Sequence, residues 1–464
     1  MKERARYWFV KVRGDLSSGR LADNITPDAT MVTTAAARAL LISAPASGQG
    51  KTAVTAALAR HAVRTGRRVR VFKTGPDFID PMILGRAAGQ PVYQLDLWMG
   101  GVSHCRQLLH QAACEADLIL VEGVMGLYDG DPSSADLAQV FHLPVALVID
   151  GNAMAQTFGA VALGLSNYRP SLALQGVLAN RVGGPGHTAM LAASLSGPAA
   201  AIRFLGALPQ GEGLAIPDRH LGLVQPEEIA DLDARLERAA DAIAPTLQLD
   251  EIAAVSFPAE HRAEPPPPLL AGARVAVARD AAFSFIYPAN MALLQEMGAR
   301  VSYFSALAHE PVPEAEAIYL PGGYPELHAE RLACNLALHE SLRGHVSAGK
   351  PLVAECGGMM LLFEHLTDLS GRRHAMAGLL PGETAMQPTL QALALQSVDF
   401  PRGELRGHSF HHSRMQTSLT PACRGRTQRG TVGEAVFRHG SLTASYIHFY
   451  WPSNPSAAAA LFLR

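Results

Sequence analysis

Four consecutive prolines, Pro265-Pro266-Pro267-Pro268, set the first constraint on this chain. Consecutive prolines lack amide donors, force extended backbone and cannot sit inside a helix or a central strand. Any core must therefore be built on one side of them or the other. With 464 residues and 48% apolar content, there is material for a core on each side. The resulting division is an extension at 1–36, expected to be disordered, a domain at 37–258, a Pro-rich linker at 259–272 and a second domain at 273–464. Met31, just before the first strong strand, is a candidate start of the chain.

Both sides share one rhythm. Short β-rich runs at 40–43, 69–72, 118–121, 145–149 and 176–179 alternate with helical stretches, and the pattern restarts at 274–278, 300–304, 317–320 and 351–354. Such alternation predicts parallel sheets covered by helices on both faces, an α/β class. The longest apolar runs are strand-sized, far short of the roughly 20 residues a membrane helix needs. With 39 Lys+Arg against 41 Asp+Glu, no basic field recommends nucleic acid or an anionic membrane as partner. Small substrates are the better expectation, and an oligomer is compatible with the sequence. Five cysteines without a C-x-x-C pair exclude a disulfide framework and fit a reducing cytoplasm.

The run Leu40-Leu41-Ile42-Ser43-Ala44-Pro45-Ala46-Ser47-Gly48-Gln49-Gly50-Lys51-Thr52 is an apolar strand, a Gly-containing turn and the start of a helix. In that context successive amides surround a phosphate, Lys51 neutralises its charge, and the Thr52 hydroxyl can ligate Mg²⁺. The strict P-loop pattern has Gly where this chain has Pro45, and a bare Gly turn is the competing reading. Glu122 ends a buried strand at the edge where open α/β sheets bind ligands, so it is a candidate Mg²⁺ partner. Asp77 and Asp80 also follow a strand and offer oxygen to a hard cation; capping a turn is the alternative for each.

A second site is centred on Pro351-Leu352-Val353-Ala354-Glu355-Cys356-Gly357-Gly358, where a strand turns abruptly into a helix with a thiol at the bend. An elbow of this kind exposes a nucleophile and aims the following amides, Gly357 first, at a developing oxyanion. The usual G-x-C-x-G form has Gly where Ala354 stands, and a buried structural cysteine is the alternative. Of 18 histidines, His448 is the candidate base because it closes the strand-like run Ser445-Tyr446-Ile447-His448-Phe449. The turn Pro321-Gly322-Gly323 after another strand offers a second backbone donor, from Gly323, or else is a plain β-turn.

These motifs, with Gly75-Pro76-Asp77-Phe78-Ile79-Asp80-Pro81, the run from Glu122 to Gly130, Arg219-His220-Leu221-Gly222-Leu223 and residues 319–327, resemble the cobyrinic (hydrogenobyrinic) acid a,c-diamide synthase family. Its members couple ATP-driven carboxylate activation to a class I glutamine amidotransferase. The resemblance implies a dethiobiotin-synthetase-like P-loop domain followed by a flavodoxin-like amidotransferase domain. It places Gly48, Gly50, Lys51 and Thr52 on ATP, Asn180 at the adenine, and Thr52, Glu122 and Asp77 on Mg²⁺. Cys356 becomes the nucleophile, His448 its activator, and the Gly323 and Gly357 amides the oxyanion hole. Lys73, Asp80, Arg219 and His220 are candidates for binding the polycarboxylate. Many class I amidotransferases carry a Glu two residues after the His; here Tyr450 stands there, and a Cys-His dyad is implied. The family's Gly-His-Glu-Phe-His segment reads Gly407-His408-Ser409-Phe410-His411 in this chain.

The implied reaction phosphorylates a carboxylate with ATP and amidates it with ammonia from glutamine, twice, on the a and c acetates of cobyrinate or hydrogenobyrinate, a step of cobalamin biosynthesis. Rival readings are a related tetrapyrrole (nickel-sirohydrochlorin a,c-diamide synthase or cobyric acid synthase) and a ParA/MinD-like switch ATPase with an inactive amidotransferase domain. The switch class carries a signature Lys five residues before Lys51, where this chain has Ala46.

Overall fold

The computed structural model describes residues 33–211, 213–214, 225–247, 249–259 and 266–464. These fall into two compact units, one drawn from 1–74, 83–90 and 106–262, the other from 75–82, 91–105 and 263–464. The second unit thus takes in two short segments, 75–82 and 91–105, that precede the proline run. Phe78 shows why the first of these groups as it does: its ring stacks on Phe285 at 5.1 Å and meets Tyr287 at 4.5 Å. Most of the expected extension 1–36 lies outside the described residues. The boundary at 37 falls inside a strand, because Thr34–Ser43 begins earlier than its apolar run and pairs through its alanine-rich start with Ala254–Pro258. In the linker, Pro266 to Pro268 adopt no regular structure.

The sheet of the first unit runs Val69–Thr74, Leu118–Glu122, Thr34–Ser43, Val145–Asp150, Leu174–Val182 and Phe204–Pro209, all parallel. Its central strands are buried almost throughout, which is why they read as unbroken apolar runs rather than alternating ones. The helix Lys51–Arg64 follows the first strand directly, so the turn between them lies at the carboxyl edge of the sheet.

The second unit has a mixed sheet. Its parallel part is ordered Arg300–Phe304, Arg274–Ala278, Ala317–Leu320, Leu352–Glu355, Leu442–Ser445, the 2-1-3-4-5 order of flavodoxin-like folds. Alternate residues feed opposite cores: Val275, Val277 and Val353 pack on one face, Ala276, Ala278 and Ala354 on the other, the latter together with Cys356. An antiparallel continuation follows through Val432–His439, Cys423–Thr427, Ala392–Phe400 and Gly403–His411 to His448–Tyr450. A separate four-stranded sheet joins Arg373–Ala375, Phe363–Thr367, Leu380–Met386 and Ser413–Gln416.

One expectation is corrected. The run 445–449 is not a single strand: Leu442–Ser445 pairs with Leu352–Glu355, the chain then turns, and His448–Tyr450 pairs with Gly403–His411. The Ser445 hydroxyl accepts the Ile447 amide at 3.1 Å, a local bond that competes with the ladder and makes the break. His448 thus opens a strand instead of closing one.

Candidate active sites

The first site gathers at the turn into Lys51–Arg64. Gly50, the helix N-cap, has φ +86°, a conformation costly for any other residue. The Asn180 amide explains it further: its Nδ2 donates to the Gln49 carbonyl at 2.9 Å, and a Cβ on Gly50 would lie 2.0 Å from that nitrogen. Asn180, expected at the adenine, is buried at the end of its strand and latches the loop. Gln49 reaches the other way, its Oε1 accepting the Asp150 amide at 2.8 Å, and Arg181 donates to the Gly48 carbonyl at 3.1 Å. No side chain caps the helix, so its first amides are left for an anion.

Lys51 is nearly buried, and its Nζ donates to the Met125 carbonyl at 2.5 Å and the Ala46 carbonyl at 3.3 Å. The Thr52 hydroxyl donates to Glu122 Oε1 at 3.0 Å, and Lys73 Nζ meets the same oxygen at 2.6 Å. Lys73, expected among the corrin-binding cations, therefore places its charge on Glu122 inside the unit. A hydroxyl and a carboxylate oxygen brought together at a sheet edge are hard donors and fit Mg²⁺, which takes few protein ligands and fills its sphere with water and phosphate.

Asp77 and Asp80 belong to the second unit. Asp77 Oδ1 accepts the Ile79 amide at 2.9 Å and the Asp80 amide at 3.3 Å, the capping arrangement raised as its alternative. Asp80 lies in the first turn of the helix Ile79–Ala88. Arg219 and His220 lie outside the described residues.

At the second site, Leu352–Glu355 gives way to the helix Gly357–Leu362 with Cys356 at the bend, φ 45° and ψ −107°. A non-glycine residue held there stores strain of about 1–3 kcal/mol and needs its surroundings to hold it; the Cys356 amide does so by donating to the Ser445 carbonyl at 2.8 Å. Gly322 brings the site together. A Cβ on it would lie 2.2 Å from His448 Cε1, 3.0 Å from His448 Nδ1 and 3.3 Å from Cys356 Cβ, so imidazole and cysteine pack around one glycine. Gly323 and Gly357 adjoin as well: a Cβ on Gly357 would sit 3.0 Å from the Gly323 amide nitrogen.

Burial dominates the electrostatics. It pushes the Cys356 thiol up, helped by Glu326 and opposed by the Gly357 amide, and it pushes His448 well below its usual range, helped by His408 and His411. The resting pair is a neutral thiol beside a neutral imidazole, the protonation state a general base needs. Tyr450, where a third member would stand, turns its hydroxyl to His104 Nε2 at 2.8 Å. Ser409, the departure from the family motif, is buried and accepts the Gln396 amide at 2.6 Å.

Three residues at this site escape a reading of the sequence. Glu355, beside the nucleophile, is buried, receives the Tyr319 hydroxyl at 2.8 Å and is raised by burial to about 8. Glu326 is raised by burial to about 7, and His408 stacks on His448. Their only signal is a position inside the motifs named above.

Residues 40–224 match the CobQ/CobB/MinD/ParA nucleotide binding domain family and residues 274–456 the CobB/CobQ-like glutamine amidotransferase domain family. The hydrogenobyrinate a,c-diamide synthase of Stutzerimonas stutzeri (strain A1501) is 59% identical over 91% of this chain and 98% of its own length. The protein of the same name from Pseudomonas aeruginosa is 56% identical over 93% and 98%. The cobyrinate a,c-diamide synthase of Herminiimonas arsenicoxydans is 50% identical over 92% and 97%. With both domains in order and relatives matched along nearly their whole length, the chain belongs to the cobyrinate and hydrogenobyrinate a,c-diamide synthase family.

Proposed function

We propose that this chain converts the a and c acetate carboxylates of a corrin, hydrogenobyrinate or cobyrinate, to amides, using ATP for activation and glutamine for nitrogen, in cobalamin biosynthesis. The observation that carries the reading is the packing of Cys356 and His448 around Gly322 in a chain that also holds the Lys51-Thr52-Glu122 loop.

A carboxylate and ammonia do not condense near neutral pH, so activation comes first. The γ-phosphoryl group of ATP passes to a corrin carboxylate oxygen, giving an acyl phosphate and ADP. Lys51, the loop amides and the free end of the helix stabilise the charge on the transferring group. Thr52 and Glu122 would hold Mg²⁺, which supplies charge neutralisation at the phosphates when bound.

In the amidotransferase unit, His448 takes the Cys356 proton, and the sulfur attacks the glutamine amide carbon. The oxyanion points at the Gly323 and Gly357 amides. Ammonia leaves with a proton returned from His448, and water hydrolyses the thioester to glutamate. Ammonia then attacks the acyl phosphate and releases inorganic phosphate. With Lys73 committed to Glu122, Arg219 and His220 are the cationic candidates for holding the corrin acids. A cytoplasmic location is part of the reading, supported by five free cysteines, which suit a reducing compartment.

The test is amidation of each corrin with Mg²⁺-ATP and either glutamine or ammonium, in wild type and Cys356→Ala. The variant is expected to lose the glutamine-dependent product and keep the ammonium-dependent one. Loss of both would make Cys356 structural and overturn the assignment.

A further inference from the structure

The dyad reading leaves a geometric question. An imidazole that works as a base must be held in one plane, and elsewhere among class I enzymes a carboxylate does this. Here His448 Nδ1 has no hydrogen-bond partner among the described residues, although the ring is buried. What surrounds it is a set of rings.

His408 and His448 stand directly opposite each other on adjacent antiparallel strands. Opposed residues present side chains on one face about 4.5–5.5 Å apart at Cβ, and the two imidazoles stack with centroids 5.0 Å apart and planes 19° from parallel. Gly407, beside His408, lets the strands close up: a Cβ there would lie 2.1 Å from the His448 carbonyl oxygen. His408 is itself fixed, its Nδ1 hydrogen-bonded to the Tyr287 hydroxyl at 2.8 Å. Phe78 closes a further side of His448 at 5.0 Å with planes at 52°.

We propose that His408 is the positioning residue of the glutaminase half-reaction: its ring, anchored by Tyr287 and stacked on His448, sets the plane of the catalytic imidazole where related enzymes use a carboxylate. This rests on the Cys356–His448 reading and adds a residue to it. Stacking fixes the plane of a ring without needing a charge beneath it, which suits a pocket this dry. When His448 takes the thiol proton, the new cation lies 5.0 Å from the Phe78 ring, an aromatic surface that attracts it. Burial holds His408 down to about 3, so it stays the neutral member of the stacked pair.

The experiment follows glutamate release from glutamine in His408→Ala, His408→Phe, Tyr287→Phe and His448→Ala, with ammonium-dependent amidation as the measure of intact fold. For His408→Ala the expected result is a kcat lower by about 10- to 100-fold, the cost of a misplaced catalytic group, with KM for glutamine within about twofold. His408→Phe, which keeps a ring in the stack, is expected to recover most of kcat, and Tyr287→Phe to fall between them. A wild-type kcat in His408→Ala beside an inactive His448→Ala would overturn the positioning role and leave the dyad standing. Normal turnover in His448→Ala would overturn the dyad itself. Should His408→Ala lose the ammonium-dependent reaction through misfolding, His408→Phe decides: full ammonium-dependent activity with no glutaminase recovery counts against stacking.

Discussion

Lys73 Nζ lies 2.6 Å from Glu122 Oε1, and neither side chain meets solvent. The two residues end neighbouring parallel strands, and Thr52 of the loop helix shares the same carboxylate oxygen. Loop, helix and two strands are thereby tied at a single atom, the one proposed to face the metal.

Lys73→Met should be strongly destabilising, because it leaves a buried carboxylate without its cation. Breaking a buried pair from one side costs about 3–5 kcal/mol, whereas replacing both partners with well-packed neutral groups costs much less. Denaturant unfolding of Lys73→Met against Lys73→Met/Glu122→Gln reads the difference. A single variant as stable as wild type would show that the pair carries no such load.

Gly322→Ala should abolish glutaminase turnover while the ammonium-dependent reaction persists. The added methyl would start 2.2 Å from His448 Cε1, within a site too packed to yield. Glutamate release and ammonium-driven amidation, measured side by side, check this. Equal loss of both would place the damage in the fold.

Glu355→Gln should gain stability relative to wild type as pH rises from about 4.5 to about 8, because only the wild type loses the Glu355 contribution across that window. Burial raises Glu355 from its ordinary 4.5 to about 8 and Glu326 to about 7. Between the unfolded and folded values the folded state binds more protons, so the contribution is fully present below about 4.5 and is lost as pH passes the folded value. Thermal midpoints of wild type and variant across this window provide the check, and parallel curves would count against it.

The parallel strands are legible in the sequence because buried strands leave apolar runs: 274–278 and 317–320 match their observed limits, and the largely exposed edge strand 300–304 is found through its β-branched and aromatic residues. The antiparallel half is not. Strands such as Leu380–Met386 and Cys423–Thr427 are only partly buried and carry glycine, threonine and arginine, so no period stands out. Cys356 announces itself through the glycines after it. His448 is found through an apparent strand that the fold breaks in two. His408 carries no sign of its own, since its position depends on which strand lies opposite, a long-range pairing that local sequence does not encode.

The membership of residues 75–82 and 91–105 in the second unit bears on how this polypeptide can be handled. A fragment started at the proline run would omit Phe78, whose ring covers one side of His448, and Trp98, whose carbonyl accepts Arg406. The gene is therefore a poor subject for dissection into halves. Glutamine hydrolysis belongs to the unbroken polypeptide, and a truncated product that fails to turn over would report missing walls rather than a missing nucleophile.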